Sequence, residues 1–262
     1  MSIIALSGAE GQIGQILAAR LPLLGYTVRP GVFREYSLPE GLQPSAVGDL
    51  RDAAVVDTLL EGVHALIHLA GTSVERPLTE LIDNNLLALV QIYEGARRHG
   101  VRRIVFASSN HAVGMHGVGR YLRPGCDFRP DGWYGLSKMW GEGIGRMYWD
   151  KHGVETVAVR IGSCLAQPTE FRHLSTWLSH DDFVRLMDCA VQAPDVGFQV
   201  VWGISANTRS YWDNSEAARA IGYWPQDNAE TYAADLLLQP NPLDPVAQRY
   251  QGGSFVTQDI RP

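Results

Sequence analysis

Six apolar runs of strand length, Ile3–Ser7, Thr27–Val32, Ala46–Gly48, Ala65–Ala70, Arg103–Ser108 and Thr156–Ile161, are mostly separated by stretches long enough to form a helix. Parallel neighbours in a sheet need a crossover of about a dozen residues or more, and a helix is the usual way to make it. Runs such as Ala65-Leu66-Ile67-His68-Leu69-Ala70 and Ile104-Val105-Phe106-Ala107 are apolar on both faces, which demands helical layers above and below. The expected fold class is therefore α/β, a doubly wound parallel sheet. Leu78 to His99 has helical apolar spacing, with Leu81, Ile82, Leu86, Leu89, Ile92 and Tyr93 on one stripe. Arg97 and Arg98 suit its last turn and Gly100 its cap. Beyond Gly162 the texture changes to short segments rich in Trp, His, Pro and Asn, with helices expected over Asp182–Ala193 and from Asn214 to Ile221. Pro240, Pro242 and Pro245 suggest an irregular tail.

The first run leads straight into Ser7-Gly8-Ala9-Glu10-Gly11-Gln12-Ile13-Gly14 and a helix over Gln12–Leu24. Backbone N–H groups at a helix N-terminus can face a pyrophosphate, and Gly8, Gly11 and Gly14 let the backbone approach it closely, with Gln12 and Ile13 supplying further amides. The spacing is Gly-x-x-Gly-x-x-Gly, where the usual dinucleotide fingerprint is Gly-x-Gly-x-x-Gly, and a plain tight turn is the competing reading. Its position between the first strand and first helix favours a Rossmann fold. Residues 1–162 are then a dinucleotide-binding core, and 163–262 a smaller substrate-binding and capping part packed on it. Asp49 and Leu50 follow the third strand, where an acid can reach the adenine amino group and a leucine can pack on the ring; Asp49 could equally cap a helix starting near Arg51. Leu69, Ala70 and Gly71 after the fourth strand offer a small-residue wall for a nicotinamide ribose.

An acid at the end of the second strand accepts from the adenosine ribose hydroxyls of NAD, whereas an arginine pairs with the 2′-phosphate of NADP. This chain reads Val28-Arg29-Pro30-Gly31-Val32-Phe33-Arg34-Glu35, with Val32 where the acid is expected. Arg34 nearby predicts that NADP is accepted or preferred, unless Glu35 turns inward or these are simply solvated loop charges.

Tyr134-Gly135-Leu136-Ser137-Lys138 puts a phenol and an ammonium on one helix face, four residues apart. The chain has 10 tyrosines but, among its 22 basic residues, only Lys138 and Lys151 are lysines. Chance would produce roughly 0.08 such pairs, so an incidental pairing is disfavoured. A nearby cation favours the phenolate, so Lys138 would let Tyr134 exchange a proton with a substrate hydroxyl while hydride leaves the same carbon. Phe106-Ala107-Ser108-Ser109-Asn110-His111 brings two hydroxyls, an amide and an imidazole to the end of the fifth strand, on the sheet's ligand-binding edge. Either serine could instead cap a turn.

With these residues the chain resembles the extended short-chain dehydrogenase/reductase superfamily. More narrowly, it is similar to bacterial uronate dehydrogenases through His68-Leu69-Ala70-Gly71-Thr72-Ser73-Val74-Glu75, Phe106–His111, Arg129-Pro130-Asp131-Gly132-Trp133-Tyr134, Val159–Cys164, Leu174–Asp182, Val201-Trp202-Gly203 and Gln251–Val256. The resemblance implies oxidation of the anomeric hydroxyl of ring-form D-galacturonate or D-glucuronate to an aldarolactone, with a nicotinamide cofactor reduced. It makes Tyr134 the general base, Lys138 its modulator and a holder of the nicotinamide ribose, and Ser109 a hydrogen-bonding substrate group. It assigns Ser73, Asn110, His111 and Ser163 to sugar hydroxyls, places Asn85, Ser108 and Ile161 on the cofactor side, and gives Arg172 the C6 carboxylate. A planar guanidinium forms two parallel bonds to a carboxylate, which selects a uronate over the neutral sugar. The resemblance implies NAD, with which Val32 in place of the family's strand-end aspartate disagrees, and it implies self-association.

A net charge of −6 and a pI near 5.7 argue against a nucleic-acid partner. The N-terminus lacks a basic signal region and no run reaches ~18 apolar residues, so no membrane partner and a cytoplasmic setting are expected. Cys126, Cys164 and Cys189 form no metal-ligand or disulfide pattern. Two other readings remain. A nucleotide-sugar epimerase or dehydratase shares the fold and the Tyr/Lys pair, but needs more than the 100 residues that follow Gly162. A non-catalytic dinucleotide sensor needs neither Tyr134 nor Lys138.

Overall fold

A computed structural model describes residues 2–261. Its elements run β1 (Ile3–Ser7), α1 (Gln12–Arg20), β2 (Thr27–Val32), β3 (Ala46–Val47), α2 (Ala53–Leu60), β4 (Ala65–His68), α3 (Leu78–Leu81), α4 (Ala88–His99), β5 (Arg103–Ser109), α5 (Trp133–His152), β6 (Glu155–Ile161), β7 (Ser163–Cys164), α6 (His173–Thr176), β8 (Trp177–Leu178), α7 (His180–Gln192), β9 (Phe198–Gly203), α8 (Ser215–Ile221) and α9 (Ala233–Leu236). Seven strands lie in the order β3-β2-β1-β4-β5-β6-β9, every neighbouring pair parallel. From β1 the chain winds outward to β3 and then returns to β4 on the other side. This reversal between β1 and β4 opens a crevice at the carboxyl ends of the strands.

Alternation along the strands divides the core into two layers. Ile4 and Leu6 of β1 pack with Val105, Val157 and Val159 against Leu17 of α1 and Phe183, Leu186 and Met187 of α7. Ala5, between them, faces the opposite layer with Leu66, Ile104 and Phe106, against Leu59 of α2, Leu89 and Ile92 of α4, and Ile144 and Tyr148 of α5. Each fully buried leucine or isoleucine contributes about 1.5–3 kcal/mol relative to exposure.

Four differences from the sequence-based expectation have local causes. The first helix ends at Arg20 because Pro22 lacks the N–H that would continue the ladder; a 3-10 turn, Pro22–Leu24, and a left-handed Gly25 follow. The segment Leu78–His99 is helical, but a π-helical stretch, Ile82–Leu87, separates α3 from α4. It turns Asn85 into the interior, while Ile82 and Leu86 of the expected stripe are only partly buried. Helix α7 starts two residues earlier than expected because the Ser179 hydroxyl accepts the Asp182 N–H at 2.9 Å. Finally, β9 adds an edge strand that the sequence reading did not include, and it comes from the part beyond residue 162. No helix among the described residues is long and apolar enough to cross a membrane, and Cys126, Cys164 and Cys189 are free thiols.

Candidate active site

The crevice begins at the turn between β1 and α1. Gly8 has φ +72°, and a Cβ there would stand 2.7 Å from the Ala70 nitrogen; one on Gly14 would stand 2.1 Å from the Gly8 carbonyl oxygen. Only glycine permits this close packing of the turn on β4 and on its own helix. Helix α1 has no side chain capping its N-terminus, so the amides of Gln12, Ile13 and Gly14 are left for an anion. Beside the turn, Gly31, Val32 and Phe33, then Gly48, Asp49 and Leu50, then Leu69, Ala70 and Gly71 line a cavity of about 360 Å³. Its shape and its glycine cradle fit a dinucleotide with the pyrophosphate over α1. Asp49 accepts the Arg51 N–H at 2.8 Å and holds the Arg51 guanidinium at 2.7 Å, and Arg51 draws the Asp49 carboxyl below its usual range. Helix α2 is capped by Asp52, not by Asp49.

At the end of β2, residues 33–36 are exposed, and the Arg34 guanidinium lies 5.9 Å from the centroid of the Phe33 ring, which lines the cavity. Glu10 from the glycine turn also reaches this place: its Oε1 accepts the Phe33 N–H at 2.7 Å.

Tyr134 and Lys138 lie one turn apart on α5 and are both buried. The Lys138 ammonium donates to the Ala107 carbonyl at 2.8 Å and sits 5.5 Å from the Tyr134 ring centroid. Burial lowers Lys138 to about 8. Burial raises the Tyr134 phenol to about 12; a hydrogen bond with Ser109 works in the opposite direction, and the Asp131 charge adds to the rise. Burial thus opposes the ionisation of the phenol that a neighbouring ammonium favours.

The two serines of β5 point to opposite sides. Ser109 touches Tyr134 and also caps the turn that follows, accepting the His111 N–H at 3.2 Å. Ser108 donates to Glu142 Oε1 at 2.6 Å, and Glu142 pairs with Arg160 at 2.8 Å, all three nearly inaccessible. The Ser108 hydroxyl thus ties β5 to Glu142 of α5, on the side away from Ser109 as the period-two alternation requires. Asn85 is likewise committed: Oδ1 accepts the Thr72 N–H at 2.7 Å, and Nδ2 donates to the Thr72 carbonyl and to Ser137 Oγ at 3.0 and 2.9 Å. It braces the loop after β4, whose Thr72 lines the crevice, against α5. Ile161 ends β6, half-buried beside this group.

The expected sugar-binding residues gather in one connected cluster, with one exception. Asn110 donates to the Ile161 carbonyl at 3.1 Å and accepts from Arg172 Nη2 at 2.8 Å. Arg172 also donates from Nη1 to Ser163 Oγ at 3.3 Å and from Nε to the Gln251 carbonyl at 2.8 Å. Three of its five N–H groups are used, which leaves one on each terminal nitrogen for a carboxylate. Arg172 also borders a second cavity, of about 360 Å³, with Phe171, Ser175 and Tyr211. His111 pairs through Nδ1 with Asp131 at 2.7 Å, leaving Nε2 as its free ring nitrogen, and its ring lies 5.7 Å from that of Tyr134. Ser73 is the exception. It lies exposed on the loop after β4 and bonds none of the cluster.

Several residues that build the site were not singled out from sequence. Glu75 accepts the Trp133 and Tyr134 amides at 3.1 and 3.0 Å, capping α5 where the phenol sits. Asp131 orients His111. The C-terminal tail, expected to be irregular, returns across the site: Phe255 stacks on His111 at 3.8 Å, and fully buried Gln251 accepts from Trp212 at 2.7 Å and donates to the Gly117 and Arg120 carbonyls. The segment Gln251–Val256 had been singled out only as a resemblance, and nothing in its composition marks it as a wall of the site.

A family model described as NAD dependent epimerase/dehydratase matches residues 4–176. A uronate dehydrogenase from Agrobacterium fabrum is 43% identical, covering 99% of this chain and 98% of the relative. A crystal structure of uronate dehydrogenase from Agrobacterium tumefaciens, a tyrosine-to-alanine mutant complexed with NAD, superposes with a TM-score of 0.94 at 41% identity, covering 99% and 98% of the two chains. That of a glucuronic acid dehydrogenase from Chromohalobacter salexigens does so with a TM-score of 0.93 at 39% identity over 98% and 97%. With this likeness running the length of the chain and the same fold beneath it, the protein belongs to the NAD dependent epimerase/dehydratase family and, within it, to the uronate dehydrogenases.

Proposed function

We propose that the protein oxidises the anomeric C1 hydroxyl of a hexuronic acid, D-galacturonate or D-glucuronate in its ring form, to the aldarolactone. The observation that carries this reading is the placement of a buried Tyr134, in contact with Ser109, beside a His111–Asn110–Arg172–Ser163 cluster at the mouth of a dinucleotide crevice. The names of the relatives point to the same substrate class and to NAD. Gly8, Gly11, Gln12, Ile13 and Gly14 would hold the pyrophosphate, Asp49 and Leu50 the adenine, and Lys138 the nicotinamide ribose. When bound, the oxidised nicotinamide supplies the hydride acceptor and a positive ring charge.

The remaining work falls to the protein's own side chains. Arg172 pairs its two spare N–H groups with the C6 carboxylate, fixing the sugar and distinguishing it from a neutral hexose. Asn110, Ser163 and the free His111 nitrogen orient the ring hydroxyls. Ser109 holds the C1 hydroxyl against Tyr134. Tyr134 Oη takes the C1 hydroxyl proton as the two electrons of the C1–H bond leave as hydride, and the C1–O bond becomes the lactone carbonyl. The phenol, held near 12 in the free protein, is poised for this only in the assembled site, where Ser109, Lys138 and the added positive charge all favour its ionised form.

The test is to incubate purified protein with each uronate, each matching neutral hexose and a nucleotide-linked uronate, following reduced-nicotinamide absorbance with NAD and with NADP. Reduction with a free uronate and little with the neutral hexose is expected; no signal with either uronate would sink the proposal. Self-association, and residence in a reducing cytoplasm suited to three free thiols, belong to the same reading.

A further inference from the structure

The ribose end of the crevice is built differently from the usual plan. The strand-end position that carries an acid in NAD enzymes is Val32, buried and apolar, and residues 33–36 after it are exposed. Yet a carboxylate does reach this place. Glu10 enters it from the glycine turn, eight residues into the chain's first βα unit and 23 residues from Phe33, whose N–H its Oε1 accepts at 2.7 Å. Its own carbonyl accepts from Gln15 Nε2 at 2.8 Å, which steadies the turn. The Glu10 carboxylate bonds none of the amides that open α1, so it stands toward β2 and not over the pyrophosphate. Glu10 lines the same cavity as Val32, Gly48, Asp49 and Leu50, and its second oxygen, Oε2, is buried with no hydrogen-bond partner among the described residues.

A buried carboxylate oxygen without a donor is costly, and such an atom beside a ligand cavity calls for a donor from the ligand. We infer that Glu10 takes over the missing strand-end acid: its carboxylate receives the adenosine ribose hydroxyls and makes the protein selective for NAD over NADP. This rests on the dinucleotide-binding reading above. A ribose diol offers two O–H donors to a fixed carboxylate, whereas a 2′-phosphate removes one donor and brings a like charge into a confined space. Arg34, exposed over the Phe33 ring, is a nearby cation that could offset that repulsion, and the Arg34→Ala arm of the experiment tests it.

The experiment is direct binding of NAD and NADP to the wild-type protein and to Glu10→Gln, read by calorimetry without any sugar. Glu10→Gln keeps an acceptor for the Phe33 N–H while it removes the charge and turns the second oxygen into an NH2 donor; Glu10→Ala, with its melting temperature recorded, is the second variant. We expect wild type to bind NAD at least about tenfold more tightly than NADP, and each variant to shrink that ratio by about tenfold or more, with NADP binding gained as NAD binding is lost. A ratio unmoved in folded Glu10→Gln and Glu10→Ala, or a wild-type preference for NADP that Arg34→Ala abolishes, would overturn the inference. Because no uronate is used, failure of the substrate assignment leaves this result standing, and the reverse is equally true.

Discussion

At Tyr134 two effects oppose each other: burial holds the phenol near 12, and the contacts of the assembled site favour its ionised form. If Tyr134 is the proton acceptor, Tyr134→Phe removes one oxygen and little else. Turnover should fall by about 100- to 10,000-fold while NAD affinity measured by calorimetry stays within a few-fold of wild type. Retained turnover would place the base elsewhere. His68 supplies a second residue-scale prediction. It is buried against Ser7 at 2.7 Å, and burial followed by the Lys138 charge lowers it to about 3 from 6.5. The unfolded chain binds this proton below pH 6.5 and the folded one does not, so the stability is fully present above pH 6.5 and declines as pH falls toward 3. His173, lowered to about 4 by burial, acts in the same direction. The urea midpoint should drop steadily from pH 6.5 to about 4, and His68→Gln should flatten that slope; a flat wild-type profile would contradict the argument. At this scale the sequence announced Tyr134, Lys138, Ser109 and Arg172 through spacing and resemblance. It hid Glu10, because an acid between two turn glycines reads as a spacer until folding places it beside Phe33.

Among the elements, β5 and α5 do most to fix the site, and they are joined behind it by Ser108, Glu142 and Arg160. Both charged partners are about 2% exposed. Glu142→Leu would leave the Arg160 guanidinium buried and unpaired, at a cost of about 3–5 kcal/mol in chemical denaturation. A loss under 1 kcal/mol would mean that the pair contributes nothing beyond packing. Most elements were legible because their signals are local: apolar runs for the central strands and the glycine cap at Gly100. The π-helical stretch was not, since α and π turns have the same composition, and only the bonds of Asn85 to Thr72 and Ser137 reveal why the helix is wound wide there. Strand β9 escaped notice because Gln199 interrupts its apolar run.

Across the whole molecule the two ends of the chain divide the labour. The ends of the first four strands and the turn into α1 line the crevice, while Arg172, Gln251 and Phe255 from the part beyond residue 162 close on His111 and Asn110. This closure depends on contacts some 80 to 140 residues apart in sequence, such as Arg172 with Gln251 and His111 with Phe255, which no local pattern encodes. Phe255→Ala should uncover His111 and raise the KM for uronate several-fold with NAD affinity unchanged; an unchanged KM would remove the tail from the substrate site. The central claim is that hydride leaves C1 of a free uronate. It is tested most directly by supplying a uronate deuterated only at C1 and examining the reduced cofactor by mass spectrometry. One deuterium per reduced nicotinamide, with slower turnover than for the unlabelled sugar, is predicted; reduced cofactor free of deuterium would contradict oxidation at that carbon.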